Sequence, residues 1–139
     1  MESLTWTVQM ALGIPEMDRE HKAMLENLAH LAALPNAEFG ARFFSLIATM
    51  ESDFRCEEEL MEKINFPALQ SHREQHARVL SALHHVVPSV KLGEFGTARE
   101  AIELLPQWFL FHLSTMDTAL VVALDMARMD TQAGSRPVA

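Results

Sequence analysis

The sequence predicts an all-α protein, an up-down-up-down antiparallel four-helix bundle preceded by an N-terminal arm. Three observations carry that prediction. Apolar residues recur at helical spacing, without strand-like alternation. Turn-forming residues gather at Leu34-Pro35-Asn36, at Asn65-Phe66-Pro67 and from Gly93 to Gly96, which divides the chain into four long segments. The connections at those breaks are short, and short connections between long amphipathic helices make sequential helices antiparallel neighbours.

Residues 1 to 16 read as the arm. The first helix is expected to start near Asp18, as its N-cap, and to run to about Leu34, with Leu25, Leu28, Ala29 and Ala32 facing inward. The second should span about Glu38 to Ile64, the third about Ala68 to the region of Pro88 or Leu92, and the fourth about Thr97 to Met129. Pro88 and Pro106 should each kink or bound a helix. The polar tail over 130–139, TQAGSRPVA at its end, reads as unstructured.

At 139 residues the chain has the size of a single domain that can bury its own core. Nineteen acidic against eleven basic residues give a net charge of -8, the wrong sign for a nucleic-acid or anionic-membrane surface. No apolar run approaches the roughly 18 residues of a membrane span, since Ala119 to Leu124 is flanked by Asp117 and Asp125. A lone Cys56 and an N-terminus reading MESLTWTVQM, with neither a basic start nor a long apolar stretch, predict a cytoplasmic protein.

The chemistry lies in imidazoles and carboxylates at helical spacing. His72 and His76 are four apart on the third helix, so both can reach one metal. Asp53 and Glu57 are likewise four apart on the second, where Cys56, Leu60 and Met61 are expected to continue an inward face. His112 and Asp117 are five apart, about 140° on an ideal helix, so they share one centre only if a π-bulge lies between them. His21 sits one turn into the first helix beside Met24 and Leu25. A single inward histidine or aspartate is usually a hydrogen-bonded core residue. Four helices that each point such groups inward are another matter, because burying them all without a cation is very costly. Mixed imidazole and carboxylate ligation suits iron or manganese, whereas structural zinc brings thiolates and calcium brings oxygen alone.

The ordered series His21, DFRCEEELM from Asp53, HREQH from His72 and WFLFHLSTMD from Trp108, led by LGIPEMDREH, resembles the bacterial hemerythrins over roughly residues 6 to 124. The resemblance implies two non-heme iron ions joined by an oxo or hydroxo bridge. It implies that His72, His76 and His112 ligate one iron, that His21 ligates the other, and that Glu57 and Asp117 bridge the pair. In the family pattern a histidine stands before the phenylalanine, four residues ahead of the bridging glutamate; here Asp53 fills that place ahead of Phe54. Either Asp53 ligates the second iron, which the retention of His21, Glu57 and Asp117 favours, or its shorter side chain leaves that iron partly open.

An anionic ligand favours ferric over ferrous iron, so the substitution points to an O2, redox or NO sensing domain more than to a stable O2 carrier. An output domain or protein partner would then read the signal. The competing reading is a di-iron peroxidase or oxidase that uses an open iron position. Against it, the sequence offers no general acid or base beyond the ligands. A ferritin-like oxidase is disfavoured because no histidine follows a glutamate by three residues. Phe109 stands where the family usually has a leucine near the oxygen pocket and either narrows access or packs in the core. Trp108 is expected beside the site and Cys56 in the core. His30, His84 and His85 match no ligand position and are expected at the surface or at helix ends.

Overall fold

The computed structural model describes the backbone of residues 5–135 and the side chains of residues 5–129. After a 3-10 turn at Val8–Met10 come α1 (Pro15–Ala33), α2 (Asn36–Lys63), α3 (Leu69–Lys91) and α4 (Gly96–His112). A π-helical turn at Leu113–Asp117 leads directly into α5 (Thr118–Ser135), so α4 and α5 make one long fourth helix. α1 packs on α2 and α4, and α3 on the same two, which closes the ring of a four-helix bundle.

Local chemistry sets the helix ends. Asp18 is not the N-cap of α1: Pro15 starts the helix, inside the stretch expected as arm, because its fixed φ suits a first helical position. The Asp18 carboxylate instead accepts the backbone N–H groups of Leu12 (2.7 Å) and Gly13 (3.2 Å) and ties the arm to the first turn. α2 ends on Asn65, whose φ is 52°; its N–H bonds the Glu62 carbonyl and that of Phe66 the Met61 carbonyl. That pair is a Schellman ending, and Phe66 and Met61 pack together as its apolar clasp. Gly93, at φ 80°, ends α3 in the same way, with Glu94 N–H on the Ser89 carbonyl.

Three expectations about element bounds and faces are corrected. Pro88 and Pro106, each expected to kink or bound a helix, lie inside helices and bound neither. The last helix runs on to Ser135, into the expected tail, while residues 136–139 lie outside the described residues. The inward stripe of α1 is Met17, His21, Met24, Leu25, Leu28 and Leu31; Ala32 is exposed and Ala29 half-buried, at the edge of that stripe.

By length and composition the continuous helix Gly96–Met129 is apolar enough to cross a membrane, which no uninterrupted apolar run in the sequence revealed. Its inward face packs in the bundle and carries the buried His112 and Asp117, while Leu104, Phe111, Val122, Met126 and Met129 are exposed. Arg99 fastens this helix to the α1–α2 turn. Its guanidinium donates to the Leu34 carbonyl (2.7 Å) and to Asn36 Oδ1 (2.8 Å) and lies 4.3 Å over the Phe39 ring.

The core falls into two apolar layers with a polar layer between them. The larger, around Leu25, Phe39, Phe43, Met50, Leu83 and Ile102, fills the end near the α1–α2 turn. The smaller joins Ile14, Met17, Met61, Phe66, Leu120 and Val121 at the other end. On every helix the candidate ligands stand in sequence between residues of these two layers: His21 between Met17 and Met24, Glu57 between Phe54 and Met61, His112 and Asp117 between Phe109 and Leu120.

Candidate metal centre

Six of the seven expected ligands are buried in that middle layer: His21, Glu57, His72, His76, His112 and Asp117. The Nε2 atoms of His72 and His76 each lie 3.1 Å from Nε2 of His112, so three imidazoles from α3 and α4 converge on one point. Glu57 Oε1 lies 3.2 Å from His72 Nε2 and 3.9 Å from His76 Nε2. Asp117 Oδ1 lies 3.2 Å from His72 Nε2 and 3.4 Å from His112 Nε2, while its Oδ2 lies 3.4 Å from His21 Nε2.

The π turn makes this possible. It occupies Leu113–Asp117, where the five-residue spacing required a widened turn, and the N–H of Thr118 reaches back to the Leu113 carbonyl. The hydroxyls of Thr115 and Thr118 donate to the Phe111 (2.7 Å) and Leu113 (3.0 Å) carbonyls around the bulge.

The cluster's electrostatics are those of groups gathered for a cation. Burial, then the neighbouring Asp117 charge, pushes the Glu57 carboxyl well above its usual range. Burial also pushes Asp117 up, but the close approach of the His112, His21 and His72 imidazoles and of the Glu57 carboxyl outweighs it and holds that carboxyl below its usual range. Burial, reinforced by His112 and His72, lowers His76 to about 3, so its imidazole is neutral, the form that binds metal. Glu57 Oε1, both Asp117 oxygens and the Nδ1 atoms of His21 and His72 have no hydrogen-bond partner among the described residues, and an unsatisfied buried polar atom costs about 1–3 kcal/mol. Two groups are each compact enough to hold one ion: Glu57, His72, His76 and His112, and, beside them, His21, Glu57 and Asp117. Glu57 belongs to both, and Asp117 turns one oxygen to each side. The donor set therefore fits two adjacent cations that share carboxylates.

Asp53 is the exception. It is half-buried, belongs to neither compact group, and lines a cavity of about 10 Å³ with Glu20, His21, Met24, Met50, Phe54, Glu57 and Phe109. Burial, then the charge of Glu20, pushes its carboxyl up to about 6 against the opposing pull of His21. The cavity is the size of about one water molecule. Phe109 belongs both to the core and to this wall, 5.5 Å edge-on from the His21 ring. Trp108 stacks on His112 at 4.9 Å between centroids, beside the site as expected.

Cys56 and Leu60 are exposed and do not continue the inward face of α2, because positions 56 and 60 sit about 100° around the helix from Glu57 and Met61. His30, His84 and His85 are exposed, and His84 pairs with Glu51.

Sequence reasoning missed the supports behind the imidazoles. Glu58 Oε2 lies 3.3 Å from His76 Nδ1 and Gln75 Oε1 lies 3.2 Å from His112 Nδ1. Each fixes the tautomer that leaves Nε2 free to ligate. Arg73 holds Glu58 in turn at 2.9 Å and reaches Glu62 at 2.6 Å. Phe54 stacks on the His76 ring at 3.8 Å between centroids. The run of three glutamates at 57–59 was the available signal, but spacing alone does not say which of them reaches across to α3.

The family model described as the hemerythrin HHE cation binding domain matches residues 12–124. The chain is 30% identical over 124 residues to a bacteriohemerythrin of Ralstonia nicotianae, covering 89% of this chain and 90% of that protein. It is 26% identical over 112 residues to a hemerythrin-like protein of Naegleria gruberi (81% and 86% covered) and 23% identical over 116 residues to a myohemerythrin of Theromyzon tessulatum (84% and 89% covered). No solved structure matches the chain. A match that begins in the arm and ends just beyond the π turn takes in every group of the polar layer, and the chain belongs to the hemerythrin family of oxygen-binding proteins, whose cofactor is a pair of non-heme irons.

Proposed function

We propose that the chain is a sensing domain for O2, its redox consequences, or NO. In this reading His72, His76 and His112 hold one iron, His21 and Asp53 hold the other, and Glu57 and Asp117 bridge them. The reading rests above all on Asp117, whose two oxygens face the three-imidazole cluster and His21 separately. Bound iron supplies the redox couple and an exchangeable position for a diatomic ligand. The chain supplies the rest. Glu58 and Gln75 set the tautomers of His76 and His112, the aromatic rings of Phe54, Trp108 and Phe109 exclude water, and the small cavity beside His21 admits a ligand of about one water's size.

Sensing is preferred to storage because of Asp53. A carboxylate in place of a neutral imidazole adds negative charge beside the second iron and stabilises its ferric state. A carrier must release its ligand without oxidation, whereas for a sensor the two oxidation states can be the signal, read out as a change in how the helices pack. The half-exposed position of Asp53 also favours, as a second reading, a peroxidase or oxidase in which that side of the iron is open.

The test compares wild type with Asp53→His, measuring iron per chain and the rate at which the reduced protein oxidises in air. Two irons in both, with slower oxidation in the histidine variant, is the expected result. One iron or none in wild type would sink the di-iron assignment. Sustained turnover of a reductant with peroxide would move the reading to the enzyme.

A further inference from the structure

The second metal position has a feature that the family's ligand pattern does not cover. Glu20 precedes His21 on α1, is half-buried, and lines the same small cavity as His21, Asp53, Glu57 and Phe109. It also lines a separate surface groove of about 380 Å³ between α1 and α2, with Glu16, Glu59 and Lys63 along it. Glu20 and Glu57 are the residues common to groove and cavity, so the two spaces meet at their side chains. Glu57 is only 5% exposed, and its Oε1 has no hydrogen-bond partner. That oxygen faces the three-imidazole cluster, so what stands where groove and cavity meet is the Glu20 carboxylate beside buried His21, whose Nδ1 has no hydrogen-bond partner among the described residues.

We propose that Glu20 is a further ligand of the second metal position, which fills through the α1–α2 groove and accepts a hard cation, Mn(II) or ferric iron, more readily than the three-histidine position does. The inference rests on the di-metal reading above. Its chemistry follows from the donor atoms. The first position offers three imidazoles plus the shared carboxylates; the second offers one imidazole and the shared carboxylates, with Asp53 and Glu20 lining the cavity beside it. Imidazole suits iron, zinc and copper, whereas oxygen donors suit manganese, so exchanging nitrogen for oxygen narrows the usual preference for Fe(II) over Mn(II). Glu20 has one methylene more than Asp53, which gives it the longer reach into a position left short by that residue. Glu16 and Glu59, against Lys63 alone, leave the entry path net negative, which raises the local cation concentration.

The test is anaerobic equilibrium dialysis of metal-depleted chain against Fe(II), and separately against Mn(II), with metal per chain read by elemental analysis. The proteins are wild type, Glu20→Gln, Glu20→Asp, and Glu26→Gln as a control on the exposed side of α1. Thermal melts of the metal-depleted forms establish that each variant folds. We expect wild type to bind two equivalents. Glu20→Gln should bind the first unchanged and the second at least about tenfold more weakly, with Mn(II) affected no less than Fe(II). Glu20→Asp should behave like Glu20→Gln, since a ligand needs reach, and Glu26→Gln like wild type. Two equivalents bound equally tightly by wild type and Glu20→Gln would overturn the inference and leave the di-metal reading standing. A Glu20→Asp variant indistinguishable from wild type would overturn ligation in favour of a long-range charge effect. A single equivalent in wild type would overturn the di-metal reading, and the inference with it.

Discussion

The two halves of the metal centre are built to different standards of rigidity. On the α3–α4 side three imidazoles converge from fully buried positions, two of them held from behind by Glu58 and Gln75 and covered by Phe54 and Trp108. On the α1–α2 side one imidazole, His21, has an Nδ1 with no hydrogen-bond partner, and Glu20 and Asp53 beside it are half-buried. A buried donor set held by hydrogen bonds is preorganised and binds tightly; a half-solvated set keeps its freedom and can exchange ligands. The difference suits a centre in which one metal anchors the fold of the site and the other meets the incoming ligand.

The largest expected effect of breaking this asymmetry comes from the anchoring half. His112→Ala removes the imidazole to which both His72 and His76 are closest and the partner of the π turn. Metal content should fall from two per chain to below one, with a loss of affinity larger than the roughly 100-fold that marks the loss of a supporting residue. A variant that keeps two metals would show that the halves are equivalent after all.

A smaller effect is expected from Glu58→Ala, which leaves every ligand in place and removes only the acceptor behind His76. The first equivalent should weaken by about 10- to 100-fold, and the difference between the two proteins should persist at high salt, because His76 is 1% exposed. Titration with Fe(II) under chelator competition reads it directly, and an unchanged first equivalent would argue that packing by Phe54 alone orients the ring.

How much of this contrast could be read in the sequence depends on how local each cause is. The inward positions His72, His76 and Glu57 follow from helical period, and the π turn follows from the five residues between His112 and Asp117, because only a widened turn lets both face one centre. The bundle follows from three short breaks, two of which end in Schellman turns at Asn65 and Gly93. What was illegible depends on distances between helices. Glu58 reaches His76 eighteen residues away, and Arg99 reaches Asn36 sixty-three residues away, so neither pairing has a local signature. Cys56 and Leu60 were misplaced by one helical position, about 100°. Glu20 was overlooked because it sits beside His21 and not a turn away, and spacing arguments favour positions three or four apart.

The smallest and most diagnostic contrast is in pH, where the two halves should act with opposite sign on the metal-depleted chain. Burial, with His112 and His72, lowers His76 from 6.5 to about 3, so the unfolded chain takes up that proton first. Its contribution to stability is complete above pH 6.5 and is lost as pH falls toward 3, at up to about 1.4 kcal/mol per pH unit. Asp53 is raised from 3.8 to about 6 by burial and then by Glu20, so its contribution is complete below 3.8 and is lost as pH rises through 6. Glu57, also raised, acts in the same sense as Asp53, and Asp53, being half-exposed, is further weakened by solvent screening. Between pH 4 and 6 these terms oppose each other and wild-type stability should vary little. Asp53→Asn removes part of the opposition, so acid should destabilise that variant more steeply. His76→Gln removes the term from the other half, so its stability should rise as pH falls over the same range. Urea midpoints measured with chelator present at several pH values between 4 and 7 give both slopes, and parallel curves for the two variants would mean that neither group titrates differently in the folded and unfolded chain.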